Sequence, residues 1–448
     1  MIKDTYRIPS EFTLWKKGGY GNIYRNNNTI IKQLPKYENK EQATIDNTSV
    51  IETMISIQLP NSIGFAKYYD INCDEDSIFI TQSYEGNNLY QWKKRANYNE
   101  IIKELPNIIY QLLKIIIFLE NIGIYYTDIK LCNIIWNDNK ITLIDYNCVS
   151  LQYQQNNKIY NIDAVGTWRY SPPEIIMNSK VYSNSSTWSI AMIIAELLDD
   201  YPIRNEYFSY IDDNNNENTH EYWIRIMEDI FYDNPDNVFG KCYKYLPVPW
   251  KEWIIRMTQW DPKMRMSKED LLHDLDKTYC LHDFPEIDIC NNLFAKPINL
   301  ETRSKYIQQL YDYAKETDQL FKLCSTIYIW DVYNINTKHL CTSDEYYSLY
   351  ACWMIAGIIL NEDIYLVDEF PIIFNIKPDN HINIINECIW NIFISCNWNL
   401  YHKSCDLYII KHCNNIPWDT FIEFYKKYDK PYNPLTLYQD FVKTLPPI

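Results

Sequence analysis

The chain has 448 residues, enough for two or three domains at roughly 150 residues each. Its 42 Lys and Arg against 58 Asp and Glu give a formal charge of −16, which excludes a nucleic-acid backbone as the main partner, because that needs a basic face. Hydrophobic residues make up 47%, so a sizeable core can be buried, and the thirteen Cys include no Cys-x-x-Cys pair, which points to free thiols in a reducing compartment. The start, Met1-Ile-Lys-Asp-Thr-Tyr-Arg7, lacks an apolar signal core. The longest clean apolar run, residues 351–360, is too short to cross a bilayer. A soluble, cytoplasmic protein is expected. Forty Tyr, with much Asn and Ile, stand against nine Gly, a bias shared by residues with A/T-rich codons.

In chain order, residues 20–24 and 29–34 read as strands around the turn Asn26-Asn27-Asn28. Residues 45–59 carry Val50, Met54 and Ile57 at helical spacing, and 77–81 form another strand. A helix covers about 99–122. A hairpin follows, with Asn133-Ile-Ile-Trp136 and Ile141-Thr-Leu-Ile-Asp145 around Asn137-Asp138-Asn139. From Thr187 to Tyr279 the pattern is mostly helical, broken by the polar loop 212–218. Residues 286–302 read as a linker with Pro297 inside, 303–415 as an all-helical region, and 416–448 as a Pro- and Tyr-rich tail.

Three blocks carry chemistry. Lys16-Lys17-Gly18-Gly19-Tyr20-Gly21-Asn22-Ile23 is a glycine-rich turn between strands, and Lys32 closes the next strand. Glu52 lies on the following helix, in Asn47-Thr-Ser-Val-Ile-Glu. Tyr126-Thr-Asp-Ile-Lys-Leu-Cys-Asn133 precedes a hairpin ending in Asp145-Tyr-Asn. A triphosphate needs backbone N–H groups over it, a cation on its oxygens and oxygen ligands for magnesium, and the acceptor hydroxyl needs a carboxylate within reach. In order and spacing these blocks resemble the protein kinases.

That resemblance, over residues 1–285, implies an α+β two-lobed fold with a small β-rich N-lobe and a large helical C-lobe. It implies ATP and Mg2+ as cofactors. Gly18, Gly19, Tyr20, Gly21, Ile23, Lys32, Thr81, Ser83 and Tyr84 would hold the nucleotide. Glu52 would pair with Lys32, and Asp128 would take the acceptor proton. Lys130 would steady the γ-phosphate, and Asn133 and Asp145 would ligate the metal. Val165-Gly-Thr-Trp-Arg-Tyr-Ser-Pro-Pro-Glu174 resembles the end of an activation segment, with Glu174 expected to pair with Arg265. Lys130 and Thr167 resemble the Ser/Thr-kinase pattern, so protein Ser/Thr hydroxyls are the expected acceptors.

The chain departs from the family at several places. Tyr126-Thr127 stands for His-Arg, Asn147 for a glycine, and Ser186 for a buried aspartate that orients the catalytic loop. A nucleotide-binding pseudokinase scaffold is therefore an alternative. Ile51, Thr127 and Ser150 stand where arginines often grip an activation-loop phosphate, and Ile162 stands at the acceptor's place. Receptor and phosphate are missing together, so activation without phosphorylation of this loop is expected. Ser171 replaces an arginine that shapes proline-directed pockets.

The second region has an amphipathic stretch at 320–333 and a nearly all-apolar stretch at 346–360 with Ala351, Ala356 and Gly357. Further helices are expected at 382–396 and near 404–410. It resembles a single cyclin box, with an unrelated helical bundle as the alternative. The family's lysine in the central helix is replaced by Ile358 or Ile359. Together the halves resemble a kinase fused to its own cyclin, an arrangement associated with giant DNA viruses. This implies an intramolecular cyclin-like partner, or docking onto a host kinase in trans, with a host cytoplasm or a virion as the setting.

Overall fold

The computed structural model describes residues 6–18, 21–40, 44–60, 64–151, 166–178, 180–198, 246–281, 300–317, 319–337, 345–360, 381–398, 418–430 and 434–444, with positions 285, 287, 373 and 400. The first strands are β1 (Thr13–Gly18), β2 (Gly21–Asn26), β3 (Thr29–Pro35), β4 (Tyr37–Asn39) and β5 (Thr44–Ile45). Helix α1 (Asn47–Gln58) follows, then β6 (Gly64–Phe65), β7 (Tyr68–Cys73) and β8 (Ser77–Ser83). An antiparallel sheet runs in the order β1-β2-β3-β8-β7. Asn26 pairs with Thr29, and Asn27 turns the chain at φ 36°, a left-handed conformation Asn tolerates better than most residues. Gly21 (φ 145°) has no alternative, since a Cβ there would lie 2.0 Å from the carbonyl oxygen of Gln33.

Asp46 starts α1, its carboxylate accepting from the Ser49 N–H at 2.9 Å and the Thr48 hydroxyl at 2.6 Å. Ser49 through Ser56 are all buried. A surface helix would bury one stripe. This one is covered on more than one side, and one neighbour is the long apolar helix of the C-terminal region.

The larger lobe opens with α2 (Leu89–Lys93), α3 (Tyr98–Asn121) and β9 (Ile124–Tyr126). The hairpin β10 (Ile134–Asn137) and β11 (Lys140–Leu143) comes next, followed by β12 (Val149–Leu151). Asp138 and Asn139 both take positive φ (50° and 60°) in the two-residue turn, the conformation that matches hairpin twist. Then come α4 (Pro173–Asn178), α5 (Ser185–Leu198), α6 (Trp250–Met257) and α7 (Lys268–Tyr279). α5 is buried almost throughout and packs against α3 and α6.

The C-terminal region is all helical among the described residues: α8 (Leu300–Glu316), α9 (Leu320–Thr337), α10 (Glu345–Leu360), α11 (His381–Ser395), α12 (Trp418–Lys427) and α13 (Pro434–Val442). α10 is central, packing on both α9 and α11; Leu349 through Ala356 are all buried, as are Ile358 and Ile359. Arg303 and Asp331 form a buried pair at 2.9–3.0 Å, with Arg303 also donating to the Tyr425 carbonyl at 2.7 Å. This pins α8, α9 and α12 together.

Two boundaries differ from expectation. The linker 286–302 gives way to helix already at Leu300. The tail 416–448 holds two helices that bury Phe421, Ile422, Tyr425, Leu437 and Phe441, so it belongs to the helical body. Its prolines misled because Pro434 occupies a first helical position, where a missing N–H costs nothing. The loop 212–218 and the helix expected near 404–410 lie outside the described residues.

Candidate active site

β3 delivers Lys32 and α1 delivers Glu52. Their ammonium and carboxylate meet at 2.5 Å, and Lys32 Nζ also reaches Asp145 Oδ1 at 2.7 Å. Burial alone would lower the lysine's pKa, but Asp145 and Glu52 overcome it and the net shift is upward. Burial pushes the Glu52 carboxyl up to about 7 against the pull of Lys32. Burial opposes ionisation of Asp145 too, yet the Lys32 ammonium prevails and holds it below the usual carboxylate range. One cation thus serves two carboxylates, leaving the cluster a negative charge in excess.

Asp145 sits at φ 70°, a left-handed conformation that costs energy in a non-glycine residue. Tyr126 restrains it. The phenol oxygen lies 2.9 and 3.0 Å from the carbonyl oxygens of Ile144 and Asp145 and accepts from Asn133 Nδ2 at 3.1 Å. The residue that departs from the family's histidine therefore ties the loop carrying Asp128 to the segment carrying Asp145. Sequence reasoning counted it as a loss. The available signal was a hydroxyl two residues before Asp128, long enough to reach across a strand pair.

Asp128 is buried and held by four donors. Thr167 donates from its N–H (2.8 Å) and hydroxyl (2.9 Å) to Oδ1; Asn133 Nδ2 (2.8 Å) and Lys130 Nζ (2.6 Å) reach Oδ2. Lys130 also donates to the Thr167 hydroxyl at 2.9 Å. Gly166 lets this segment close on the loop, because a Cβ there would lie 2.5 Å from the Thr127 carbonyl oxygen. Thr127, in the arginine's place, spends its hydroxyl on the Cys148 carbonyl at 2.9 Å.

The Asn133 amide nitrogen is used by Asp128 and Tyr126, which leaves its carbonyl oxygen as a ligand atom; Asp145 has Oδ2 to offer beside Oδ1. Two hard oxygen donors fit magnesium, which takes few protein ligands and completes its shell with phosphate oxygens and water. Of the expected nucleotide residues, Gly19 and Tyr20 lie outside the described set. Gly18 pairs with Gly21 at the β1–β2 tip, and Ile23 stands opposite Lys32 on the same sheet face. Thr81 does not join them. It pairs with Ile31, one residue out of phase with Lys32, so the pleat turns it to the opposite face. Ile80, opposite Lys32 and buried, holds the equivalent place on the site's side and was missed. The Ser83 hydroxyl bonds the Glu85 carboxylate, and the Tyr84 ring lies under Arg25 at 3.6 Å.

Beneath the loop, Ser186 donates to Glu120 Oε1 at 2.9 Å, and Lys268 pairs with Glu120 Oε2 at 2.9 Å. The carboxylate missing from α5 is thus supplied nearby by α3. Burial pushes it up, with Lys268 opposing. Asn147 is buried, and its side-chain oxygen has no hydrogen-bond partner among the described residues. Glu174 and Arg265 pair bidentately at 2.6 and 2.7 Å, as expected.

A lysine bridged to a helix glutamate and a loop aspartate, beside a second aspartate aimed by Asn, Lys and Thr, is the arrangement of phosphotransfer enzymes that act on hydroxyls. The chain belongs to the protein kinase domain family, which matches residues 17–275. Among its curated relatives are a probable serine/threonine-protein kinase of Dictyostelium discoideum (25% identical over 212 residues, 42% of this chain and 46% of the relative) and cyclin-dependent kinase 11A of Homo sapiens (25% over 195 residues, 42% and 25%). The serine/threonine-protein kinase PITSLRE of Drosophila melanogaster is similar at 26% over 198 residues (42% and 21%). The matched stretch spans less than half the length of each of these relatives.

Proposed function

We propose that the chain is a Mg-ATP-dependent Ser/Thr protein kinase, held in its active arrangement by its own C-terminal helical body, which acts as a cyclin-like partner in cis. The observation that carries the catalytic part is the joined cluster of Lys32 with Glu52 and Asp145 beside Asp128 with Lys130 and Thr167. The relatives named as serine/threonine and cyclin-dependent kinases support the acceptor class and the kind of partner.

Lys32 would neutralise α- and β-phosphate oxygens while Glu52 fixes its direction. Asn133 and Asp145 would hold a magnesium ion, which when bound would supply charge compensation on the phosphates. Lys130 is the movable donor on Asp128: drawn toward the γ-phosphate, it frees Oδ2 to accept the substrate's hydroxyl proton. The acceptor oxygen bonds to the γ-phosphorus as the bond to the β,γ-bridging oxygen breaks, and ADP leaves with that oxygen.

The test is phosphate transfer from labelled ATP to a basic protein. Asp128→Asn should cut the rate by about 10²–10⁴-fold, the usual worth of a general base. An unchanged rate would take the general-base role away from Asp128, while no transfer by the unaltered chain would leave the pseudokinase scaffold. Specific activity should be independent of protein concentration if activation is in cis. A rise with concentration, or with an added host kinase, would favour action in trans.

A further inference from the structure

The C-terminal body touches the small lobe at a second place besides the α10–α1 contact. Trp390 of α11, only 1% exposed, donates from Nε1 to the Tyr37 hydroxyl oxygen at 2.9 Å. The two rings meet edge-on at 5.9 Å and 79°. The Lys36 ammonium lies 4.7 Å from the Trp390 ring centre, and Lys36 is fully buried. Its ammonium donates to the Asp74 carbonyl at 2.5 Å, and no carboxylate forms an ion pair with it among the described residues. A buried ammonium in this setting depends on the carbonyl and on the aromatic face covering it.

From Lys36 the connection runs to the active site through bonds already in place. The Lys36 carbonyl accepts from the Asp46 N–H at 2.9 Å. Asp46 caps α1 through the Ser49 N–H. α1 carries Glu52 to Lys32. Tyr37 opens β4, whose partner β5 ends at Ile45, directly before the cap. Both ends of the short β4–β5 segment are therefore fixed by Trp390 at one side and by the α1 cap at the other.

We infer that Trp390 is a positioning residue for phosphotransfer: by covering Lys36 and bonding Tyr37 it fixes the capped start of α1, and with it the grip of Glu52 on Lys32. This deepens the cis-activation reading above and rests on it for its catalytic consequence. Without the indole the Lys36 ammonium gains more by turning toward water than by staying buried. That movement pulls on the carbonyl that holds Asp46.

The test uses the full chain with Trp390→Ala, Trp390→Phe and Tyr37→Phe, read by steady-state kinetics and by amide exchange. Trp390→Ala, losing both the bond and the cation–π contact, should lower kcat about tenfold, with the peptide KM nearly unchanged and exchange across residues 46–52 about tenfold faster. Tyr37→Phe removes the hydrogen bond alone, and Trp390→Phe removes it while keeping a smaller aromatic face over Lys36; each should cost about threefold, with the double variant no worse than Trp390→Phe. Arg303→Lys, a buried change elsewhere in the same helical body, should leave exchange at 46–52 unaltered. Wild-type kcat and exchange in Trp390→Ala would overturn the inference, as would the same acceleration at 46–52 in Arg303→Lys. Should the unaltered chain transfer no phosphate, the kinase reading fails, while exchange at 46–52 still decides the role of Trp390.

Discussion

Glu52, Lys32 and Asp145 form a cluster with one positive and two negative charges, and its titration follows from that imbalance. Glu52 takes its proton near pH 7 in the folded chain against an ordinary value of 4.5, so the folded state binds that proton more tightly than the unfolded one. The stability this group contributes is complete below about pH 4.5 and is lost as pH rises through about 7. Glu52→Gln cannot titrate. In calorimetry without nucleotide, its melting temperature should fall less between pH 5.5 and 8 than that of the unaltered chain, while phosphotransfer is lost; an equally steep fall would contradict the assignment. At this scale the meeting of Lys32 with Glu52 was legible, because a lysine set to neutralise phosphate oxygens needs a carboxylate to fix its direction. Thr81 was not. Whether a strand residue faces the site depends on a one-residue count that only the register with Lys32 and Ile31 decides. Tyr126 was read as a departure because its use depends on where Ile144 and Asp145 place their carbonyls.

Helices and strands are joined here by a few buried charged contacts. Arg265, with its side chain wholly buried, forks onto Glu174 at the start of α4 and donates to the Gln259 and Trp260 carbonyls. Arg265→Ala would leave Glu174 buried without its partner and should destabilise the fold by about 3–5 kcal/mol, measured by denaturant midpoint. A loss under about 1 kcal/mol, typical of exposed pairs, would show that water reaches the site. Most elements were readable from periodicity: α3 and β3 begin and end within a residue or so of expectation. β1 was not, since all six of its residues are exposed and carry no inside–outside alternation. α12 and α13 were hidden by flanking prolines, although Phe421 and Tyr425 already had helical spacing.

Across the whole molecule, the places where a phosphate grip would stand hold Ile51, Thr127 and Ser150, all buried, with the Thr127 hydroxyl already committed to Cys148. None is a cation, so a phosphate on the activation segment would find no fork there. Phosphatase treatment of the purified chain should leave its transfer rate unchanged; a fall of tenfold or more would mean that a phosphate outside these positions orders the site. The helical character of the stretch after residue 302 was legible from its periodicity, as far as the described residues run. The contact between the parts was not, because nothing local to Lys36 or Trp390 announces that a residue 353 positions away in sequence will meet Tyr37.

The Trp390–Tyr37 contact also bears on how such an enzyme ages. Where a kinase and its activator are separate chains, the active form has a lifetime set by their dissociation and by how much of each the cell holds. With activation in cis, as proposed above, the two halves would be made in equal number by a single round of translation, and an opening of the contact would leave them on one chain, able to close again. The duration of activity would then be governed by unfolding and degradation of the whole chain, so that proteolysis, rather than partner exchange, becomes the natural way to end it.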